Sequence, residues 1–269
     1  MSLIQSIILG IVQGITEFLP ISSSGHLILM PRIFGWQDQG LAFDTLLHLA
    51  TAAAILVALR KDIRQILTAF KFKKRDKKEK ENSRLLLLII IAIIPAGIIG
   101  FLFNDLIEHS LRLPQIVAFS LIFWAVILWF AEVYSRKQKN KTENLEKISL
   151  KHSLLVGFMQ IIALIPGTSR SGITITGGLF SGLNRQMAVK FSFLVGLPLI
   201  IVAGIFQISQ LANQGIVCQD ILPLVVGFFS AFLSGLLAIH LLLWLAARKG
   251  FKIFIIYRII LGIIILIIF

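Results

Sequence analysis

The sequence predicts an all-α, polytopic membrane protein with an inverted-topology repeat, made of six transmembrane helices plus two re-entrant helix hairpins. Three observations lead to this prediction. Of the 269 residues, 57% are hydrophobic and only 14% are charged, whereas soluble domains average roughly 25% charged residues. The apolar residues form long runs, and the basic residues are concentrated in a few loops. A soluble enzyme is excluded, because the polar residues are too few to cover a surface in contact with water.

Six apolar stretches approach the ~20 residues that a helix needs to cross a bilayer. Five of them are clear, and the first is weaker because it contains Asp44 and His48. In chain order the six predicted spans are Leu41–Leu59, Leu85–Phe103, Leu113–Ala131, Phe191–Ser209, Ile221–Leu245 and Ile253–Phe269.

Two further apolar stretches are interrupted by proline, glycine and serine. Leu3–Met30 is broken around Pro20, and Leu154–Leu183 is broken at Pro166-Gly167. Glycine and proline mark the ends of helices, and non-helical backbone at membrane depth is tolerated only inside protein or beside water. We therefore expect a re-entrant hairpin over 3–30 and a second one over 154–183.

The distribution of basic residues predicts the orientation. Of the 26 Lys and Arg, eleven lie in 60–84, six in 136–151 and three in 248–252, whereas the loops at 31–40, 104–112 and 210–219 together hold two. Because basic loops stay in the cytoplasm, the first three segments are expected inside and the other three outside. The net charge of +13 is then explained by topology and by attraction to lipid headgroups, and no nucleic-acid partner is expected for the Lys71–Lys80 run.

This orientation, together with internal similarity, predicts the repeat. The stretch 154–183 must enter and leave on the cytoplasmic side, and the first stretch is either a span or a hairpin on the outer face. Similarity between Gly10–Gln13 and Gly157–Gln160, each followed by a proline and a hydroxyl pair, favours the hairpin. We expect repeat 1 at 1–134, a cytoplasmic basic linker at 135–152, and an oppositely oriented repeat 2 at 153–269.

Several polar residues in the first broken stretch point to an anion site. Gln13 and Glu17 share one helix face, Pro20 ends that helix, and Ser22–Ser24 can cap the next helix, on which His26 lies three residues after Ser23. Free amides at a helix start bind anions. Capping alone explains the serine run, but an ionisable cluster in hydrocarbon is costly and therefore favours a function.

The second broken stretch places an arginine among small residues, in Pro166-Gly167-Thr168-Ser169-Arg170-Ser171-Gly172. A guanidinium group matches phosphate oxygens in a planar fork. The alternative is a structural Arg170 that binds backbone carbonyls or pairs with Glu17. Two weaker features are Arg258, which lies inside an apolar span, and His48, which either lines the mouth of a cavity or lies at the membrane interface.

These motifs resemble those of a known family. Residues 13–26, QGITEFLPISSSGH, look like the first signature of the bacterial undecaprenyl-diphosphatases, the bacitracin-resistance family, and residues 166–174 look like its second, PGxSRSxxT. The family's first motif has Glu or Gln, three residues and then Glu. Here Gln13 holds the first position, so no essential carboxylate is expected there.

The resemblance implies a function. It implies hydrolysis of undecaprenyl diphosphate to undecaprenyl phosphate and inorganic phosphate, which recycles the lipid carrier for peptidoglycan synthesis and confers resistance to bacitracin. It also implies a multi-pass protein of the cytoplasmic (inner) membrane, a divalent cation (Mg or Ca), and an active site that opens to the outer face. A transporter or flippase for the polyprenyl phosphate is the alternative, because inverted repeats with broken helices also build transporters. A homodimer stays open.

From the motifs and the resemblance together we expect specific roles. Ser23 is the candidate nucleophile with Glu17 or His26 as base, and a water oriented by Glu17 and His26 is the alternative. Glu17, with help from Gln13, could instead hold the cation through oxygen ligands. The expected catalytic residues are Glu17, Ser23, His26 and Arg170, and the expected substrate-binding residues are Gln13, Ser22, Ser24, Gly167, Ser169, Ser171 and Thr174.

Overall fold

The computed structural model describes residues 1–68, 77–103, 111, 113–213 and 221–269. Within these ranges the chain folds into eleven α-helices and a 3₁₀ turn, and its only extended pairing is an isolated bridge between Thr142 and Leu183. The predicted all-α class is confirmed.

The helices are numbered in chain order. The amino-terminal half contains α1 (Leu3–Phe18), α2 (Ser23–Phe34), α3 (Leu41–Ala58), α4 (Arg60–Leu67), α5 (Lys77–Leu102) and α6 (Pro114–Lys137). The carboxy-terminal half contains α7 (Leu150–Ile162), α8 (Arg170–Ser181), α9 (Arg185–Asn213), α10 (Ile221–Arg248) and α11 (Lys252–Ile268).

The first broken stretch forms two helices joined by a short turn. Helix α1 begins at a capping box in which Ser2 and Gln5 bond each other's backbone N–H. It ends at Phe18 because a residue that precedes proline disfavours helical backbone, and Leu19 is accordingly extended (φ −66°, ψ 142°) before Pro20. Helix α2 then continues past the predicted limit at Met30 until Gly35, whose φ of 64° ends it.

The second broken stretch has the same form. Helix α7 starts after Ser149, whose backbone N–H donates to Nδ1 of His152 at 2.9 Å. Helix α8 starts after Ser169 and ends before Gly182, which has a φ of 105°. Both broken stretches are therefore helix–turn–helix units, as the proline and glycine positions predict.

Five helices, namely α3, α5, α6, α9 and α10, are long and apolar enough to cross a membrane. They match five of the six predicted spans to within one residue or extend beyond them, and α5 begins at Lys77 rather than Leu85. Helical hydrogen bonding does not stop where side chains become polar, so hydropathy marks the bilayer segment and not the helix. The remaining predicted span forms α11, which has 17 residues, and its crossing stays a prediction.

The outer surface of the helices is apolar. Leu237 and Ile267 are 73% and 78% exposed, whereas Gln13, Gln160 and Arg258 are each 0% exposed. Polar groups inside and apolar groups outside are the arrangement expected when lipid is the solvent. The described part of the chain is that of a polytopic membrane protein.

The first helix of each broken stretch packs against a long helix of the other half. Helix α1 packs on α10, where a Cβ on Gly10 would lie 2.5 Å from the carbonyl oxygen of Gly227. Helix α7 packs on α5, where a Cβ on Gly157 would lie 2.8 Å from the carbonyl oxygen of Ala92. Small residues allow this close approach of helices in membranes. The two halves are therefore interleaved.

The predicted loops are described only in part. Positions 104–110, 112 and 214–220 of the predicted outer loops, and 69–76 of the basic region, lie outside the described residues. The basic linker at 135–152 is described. Arg84 of α5 contacts it, since Nη2 donates to the carbonyl oxygen of Ile148 at 2.9 Å. The inside and outside assignments stay predictions.

Candidate active site

The turns of the two helix–turn–helix units are in direct contact. Ser171 Oγ donates to the carbonyl oxygen of Leu19 at 3.1 Å. This contact brings Arg170 to Glu17, and Nη2 of the guanidinium lies 2.8 Å from Oε1 of the carboxylate. The two residues are 153 positions apart in sequence, so the structure joins the two broken stretches at one site and shows the Arg170–Glu17 pair that the sequence offered as an alternative.

Glu17 is the centre of the cluster. Its side chain is only 5% exposed, and its second oxygen, Oε2, accepts hydrogen bonds from Ser23 Oγ at 2.6 Å and from Gln13 Nε2 at 3.1 Å. The Gln13 bond confirms that these two residues share a helix face. A buried carboxylate is tolerated here because a guanidinium, a hydroxyl and an amide all donate to it.

His48 of α3 also faces this carboxylate, with Nε2 3.7 Å from Glu17 Oε2. Its Nδ1 lies 2.8 Å from the carbonyl oxygen of Asp44. Since a carbonyl only accepts, Nδ1 carries a proton and Nε2 is the nitrogen turned to Glu17. The structure therefore places His48 at the cluster, and the pair of polar residues inside an apolar helix was the sequence signal for it.

His26 makes its hydrogen bonds elsewhere. Its Nδ1 lies 2.7 Å from the carbonyl oxygen of Ser22, and its Nε2 lies 2.7 Å from the hydroxyl of Tyr257 in α11. The His26 and Tyr257 rings are also nearly parallel, at an interplanar angle of 6°. The carbonyl again fixes Nδ1 as a protonated nitrogen, so when the ring is neutral Nε2 accepts a hydrogen bond from the Tyr257 hydroxyl. The role of His26 as acid or base stays a prediction.

The serines of the first turn cap α2. Ser22 has a φ of 75° and its Oγ accepts from the backbone N–H of Gly25 at 3.4 Å. Ser24 Oγ lies 3.3 Å from Ser22 Oγ. Ser23 points instead to Glu17. Ser22 therefore caps α2, whereas Ser23 belongs to the cluster around Glu17. Substrate binding by Ser22 and Ser24 stays a prediction.

The hydroxyls of the second turn hold its backbone. Ser169 has a φ of 71° and its Oγ accepts from the backbone N–H of Gly172 at 3.1 Å. Thr174 Oγ1 donates to the carbonyl oxygen of Arg170 at 2.7 Å and lies 2.6 Å from Ser192 Oγ. A Cβ on Gly167, whose φ is 88°, would collide with the backbone of Val117. Substrate contacts by Ser169, Ser171, Thr174 and Gly167 stay predictions.

Arg258 of α11 fixes the second turn from the other side. It is fully buried and donates from Nη2 to the carbonyl oxygens of Gly167 at 3.2 Å and Thr168 at 2.8 Å. Its Nε donates to the carbonyl oxygen of Leu121 at 3.2 Å. The structural role that the sequence left open for Arg170, donation to backbone carbonyls, is filled by Arg258. Arg170 instead forms an ion pair with the carboxylate of Glu17.

The residues around Glu17 are compatible with one divalent cation. Gln13 Oε1 is buried and has no hydrogen-bond partner among the described residues. With Glu17 it offers the oxygen ligands that Mg²⁺ and Ca²⁺ prefer. Across the described ranges no three of His, Cys, Asp and Glu converge on one point. A cation here would take its other ligands from substrate oxygens and water, which is the usual way that Mg²⁺ binds at phosphate sites.

Comparisons with known proteins identify the family of this chain. The family model of bacitracin resistance protein BacA matches residues 6–264. The chain is 42% identical over 269 residues to undecaprenyl-diphosphatase 2 of Stutzerimonas stutzeri (strain A1501), and this alignment covers 100% of this chain and 99% of that protein. It is 40% identical over 263 residues to undecaprenyl-diphosphatase 1 of Pseudoalteromonas translucida (strain TAC 125), and this alignment covers 98% of this chain and 97% of that protein. The resemblance in the two motifs is confirmed, and the chain belongs to the bacitracin resistance protein BacA family.

Proposed function

We propose that this protein is an integral-membrane phosphatase that hydrolyses undecaprenyl diphosphate to undecaprenyl phosphate and inorganic phosphate. The observation that carries the proposal is the cluster of Arg170, Glu17 and Ser23, in which a guanidinium and a hydroxyl meet on one buried carboxylate. Family membership supports the same activity. Its place in the cell would be the bacterial cytoplasmic membrane, where it recycles the lipid carrier for peptidoglycan synthesis and confers resistance to bacitracin.

The geometry supports a stepwise phosphoryl transfer. Phosphoryl transfer requires mainly positioning and charge stabilisation, and Arg170 supplies a fork of donors for the oxygens of the diphosphate. Ser23 Oγ lies 2.6 Å from Glu17 Oε2, so Glu17 is placed to accept the hydroxyl proton. Ser23 Oγ then bonds to the terminal phosphorus, the bond from that phosphorus to the bridging oxygen breaks, and undecaprenyl phosphate leaves. Water hydrolyses the phosphoserine and releases inorganic phosphate.

Two further parts of the site belong to the proposal. A water held by Glu17 and His26 is the competing nucleophile. A divalent cation (Mg or Ca), when bound, would neutralise charge on the diphosphate, and Glu17, with help from Gln13, would then hold it instead of acting as the base. Gln13 Oε1, which has no hydrogen-bond partner among the described residues, supports the cation.

The proposed membrane arrangement has six spans and two re-entrant hairpins in an inverted repeat, with the active site open to the outer face. Three features support it. The first helix of each helix–turn–helix unit carries an equivalent glutamine near its carboxyl end, Gln13 or Gln160, and both are fully buried. Each unit's first helix packs on a span of the other half. The basic residues are concentrated in the segments that this arrangement places inside, as the positive-inside rule requires.

The test is phosphate release from purified protein given undecaprenyl diphosphate in detergent, with and without a chelator. Wild-type protein is expected to release phosphate. Arg170→Ala should lower the rate by at least about 10²-fold, the loss typical of removing one fixed transition-state donor. Arg170→Lys should also fail because the fork is lost. Arg136→Ala is the control, since Arg136 is 60% exposed and pairs with Glu132.

Each negative result has a definite meaning. A protein that only transports polyprenyl phosphate would release no phosphate in this assay, and that result would refute the phosphatase. Near wild-type turnover in Arg170→Ala would remove Arg170 from the mechanism. Turnover unaffected by the chelator would remove the cation.

A further inference from the structure

The guanidinium of Arg170 occupies space that only a glycine leaves free. Gly196 lies in α9, beside the start of α8, and is buried. A Cβ built on Gly196 would collide with Nη1 of Arg170 and would lie 2.5 Å from its Cζ and 3.2 Å from its Nη2. Any side chain at position 196 would therefore compete with the guanidinium for the same space.

Backbone conformation does not explain this glycine. Gly196 lies inside α9, two residues before Pro198, and is not among the glycines with positive φ. Alanine is favoured over glycine in a helix interior, so the helix alone would be more stable with alanine. The missing side chain is explained by the neighbouring group, which is the guanidinium.

Helix α9 also holds the backbone from which Arg170 projects. Ser192 lies four residues before Gly196, hence on the same face of α9, and its Oγ lies 2.6 Å from Thr174 Oγ1. Thr174 in turn donates to the carbonyl oxygen of Arg170. One face of α9 therefore fixes the base of Arg170 through Ser192 and receives its tip at Gly196.

We propose that Gly196 is a positioning residue for the phosphatase reaction: it places the Arg170 guanidinium where it meets both Glu17 and the diphosphate. This inference rests on the proposed function. Nη1 faces the Gly196 backbone and has no hydrogen-bond partner among the described residues, whereas Nη2 meets Glu17. The contact with Gly196 is therefore van der Waals packing without a hydrogen bond, and it sets the orientation of the Arg170 guanidinium.

The collision also predicts which part of the protein gives way. The colliding atoms belong to the far end of a long, flexible side chain, while the backbone of α9 is held within a helix. A methyl group at position 196 would displace the guanidinium and leave the helix in place. The substitution should therefore be tolerated by the fold and damaging to the reaction.

The experiment compares Gly196→Ala with two matched glycine variants in the purified full chain. Gly97→Ala places a methyl in open space within α5, and Gly204→Ala lies in the same helix as Gly196 but meets only the side chain of Leu49. We expect Gly196→Ala to lower phosphate release by about 10²-fold, approaching Arg170→Ala, with an unchanged or raised midpoint of thermal unfolding. Both controls should keep wild-type turnover.

A double variant separates positioning from general damage. If Gly196 acts through Arg170, Gly196→Ala should cause no further loss of turnover in an Arg170→Ala background. Losses that multiply in the double variant would overturn the proposal, as would full activity of Gly196→Ala. Should Gly196→Ala alone fail to fold, the double variant must fold as well as Arg170→Ala, since the collision is then gone. Failure of the double variant to fold would also overturn the proposal.

A second readout is independent of turnover. The probe is the rise in the midpoint of thermal unfolding caused by inorganic pyrophosphate, which Gly196→Ala and Arg170→Ala should both lose while Gly97→Ala and Gly204→Ala keep it. A wild-type protein that shows the rise but releases no phosphate would refute the phosphatase, and the rise would still decide the role of Gly196. A rise retained in Gly196→Ala but lost in Arg170→Ala would overturn the positioning role.

Discussion

The turn that precedes α2 and the turn that precedes α8 have the same backbone and different chemistry. Ser22 and Ser169 have φ values of 75° and 71°, and each caps the next helix by accepting from the backbone N–H three residues on. The residue after the cap is Ser23 in one turn and Arg170 in the other. The same backbone conformation therefore presents the candidate nucleophile to one oxygen of Glu17 and the candidate phosphate-binding group to the other.

The first turns of α2 and α8 differ in burial. In α8, Ser171 and Gly172 are buried, and the turn before this helix is held by Arg258, which donates to the carbonyl oxygens of Gly167 and Thr168. In α2, Ser23, Ser24 and His26 are only half-buried. We infer a division of labour in which the turn before α8 is a fixed anchor, and the more accessible start of α2 is the reactive side of the proposed site.

The largest effect is expected at the reactive side. Ser23→Ala removes the hydroxyl that lies 2.6 Å from Glu17 Oε2, and it should abolish formation of a covalent phosphoserine in single-turnover labelling, because no other oxygen replaces the nucleophile. Wild-type protein should trap the phosphoserine. Ser6→Ala, which removes a hydroxyl bonded only to its own helix, should label normally. Turnover retained in Ser23→Ala would assign the attack to water.

An intermediate effect is expected at the anchor. Arg258→Met keeps the apolar stem and leaves the carbonyl oxygens of Gly167, Thr168 and Leu121 without their donor. Since an unsatisfied buried polar group costs about 1–3 kcal/mol, the midpoint of thermal unfolding in detergent should fall clearly and phosphate release should fall with it.

Lys190→Met is the matched control for the anchor. It breaks a partly exposed pair with Asp62 at 3.2 Å, and such pairs contribute about 0–1 kcal/mol. An Arg258→Met protein as stable as wild type would show that the second turn needs no anchor, and the contrast between the turns would then be one of burial alone.

The smallest effect is expected at the contact between α11 and the reactive side. Tyr257→Phe removes the hydroxyl that donates to Nε2 of His26 and keeps the ring. A neutral hydrogen bond contributes about 0.5–1.5 kcal/mol net to stability, so stability should fall by no more than that. Phosphate release should fall at most about 13-fold, the limit reached if the whole bond energy is realised in the transition state. Tyr134→Phe, whose ring packs near Phe180, is the control. Unchanged turnover in Tyr257→Phe would separate this contact from the reaction.

The sequence predicted the features that depend on local pattern. The helical class, five long apolar helices and the two broken stretches follow from hydropathy and from proline and glycine, and the structure confirms them. The contact between Glu17 and Arg170 was also predictable, because two ionisable residues of opposite sign in hydrocarbon need partners.

What the sequence did not predict depends on how distant helices are brought together. The sequence singled out His48 but not Glu17 as its neighbour, which His48 reaches because α3 packs on α1. Tyr257 reaches His26 from the last helix. The need for a glycine at position 196 becomes visible only when the Arg170 guanidinium is seen to pack against it. Residue type and spacing alone cannot identify such neighbours, because an isolated tyrosine or helical glycine resembles many others in the chain.

The interleaving of the two halves has a consequence for biogenesis. Helix α1 is made first, but the helix against which it packs, α10, begins at Ile221. While the ribosome completes the intervening segments, the face of α1 that carries Gly10 and Gly14 lacks the helix on which it packs in the folded protein. Glu17 likewise has no ion-pair partner until Arg170 is synthesised. Chains truncated ahead of Ile221 should consequently be substrates for membrane proteolysis, and neither half should accumulate when expressed without the other.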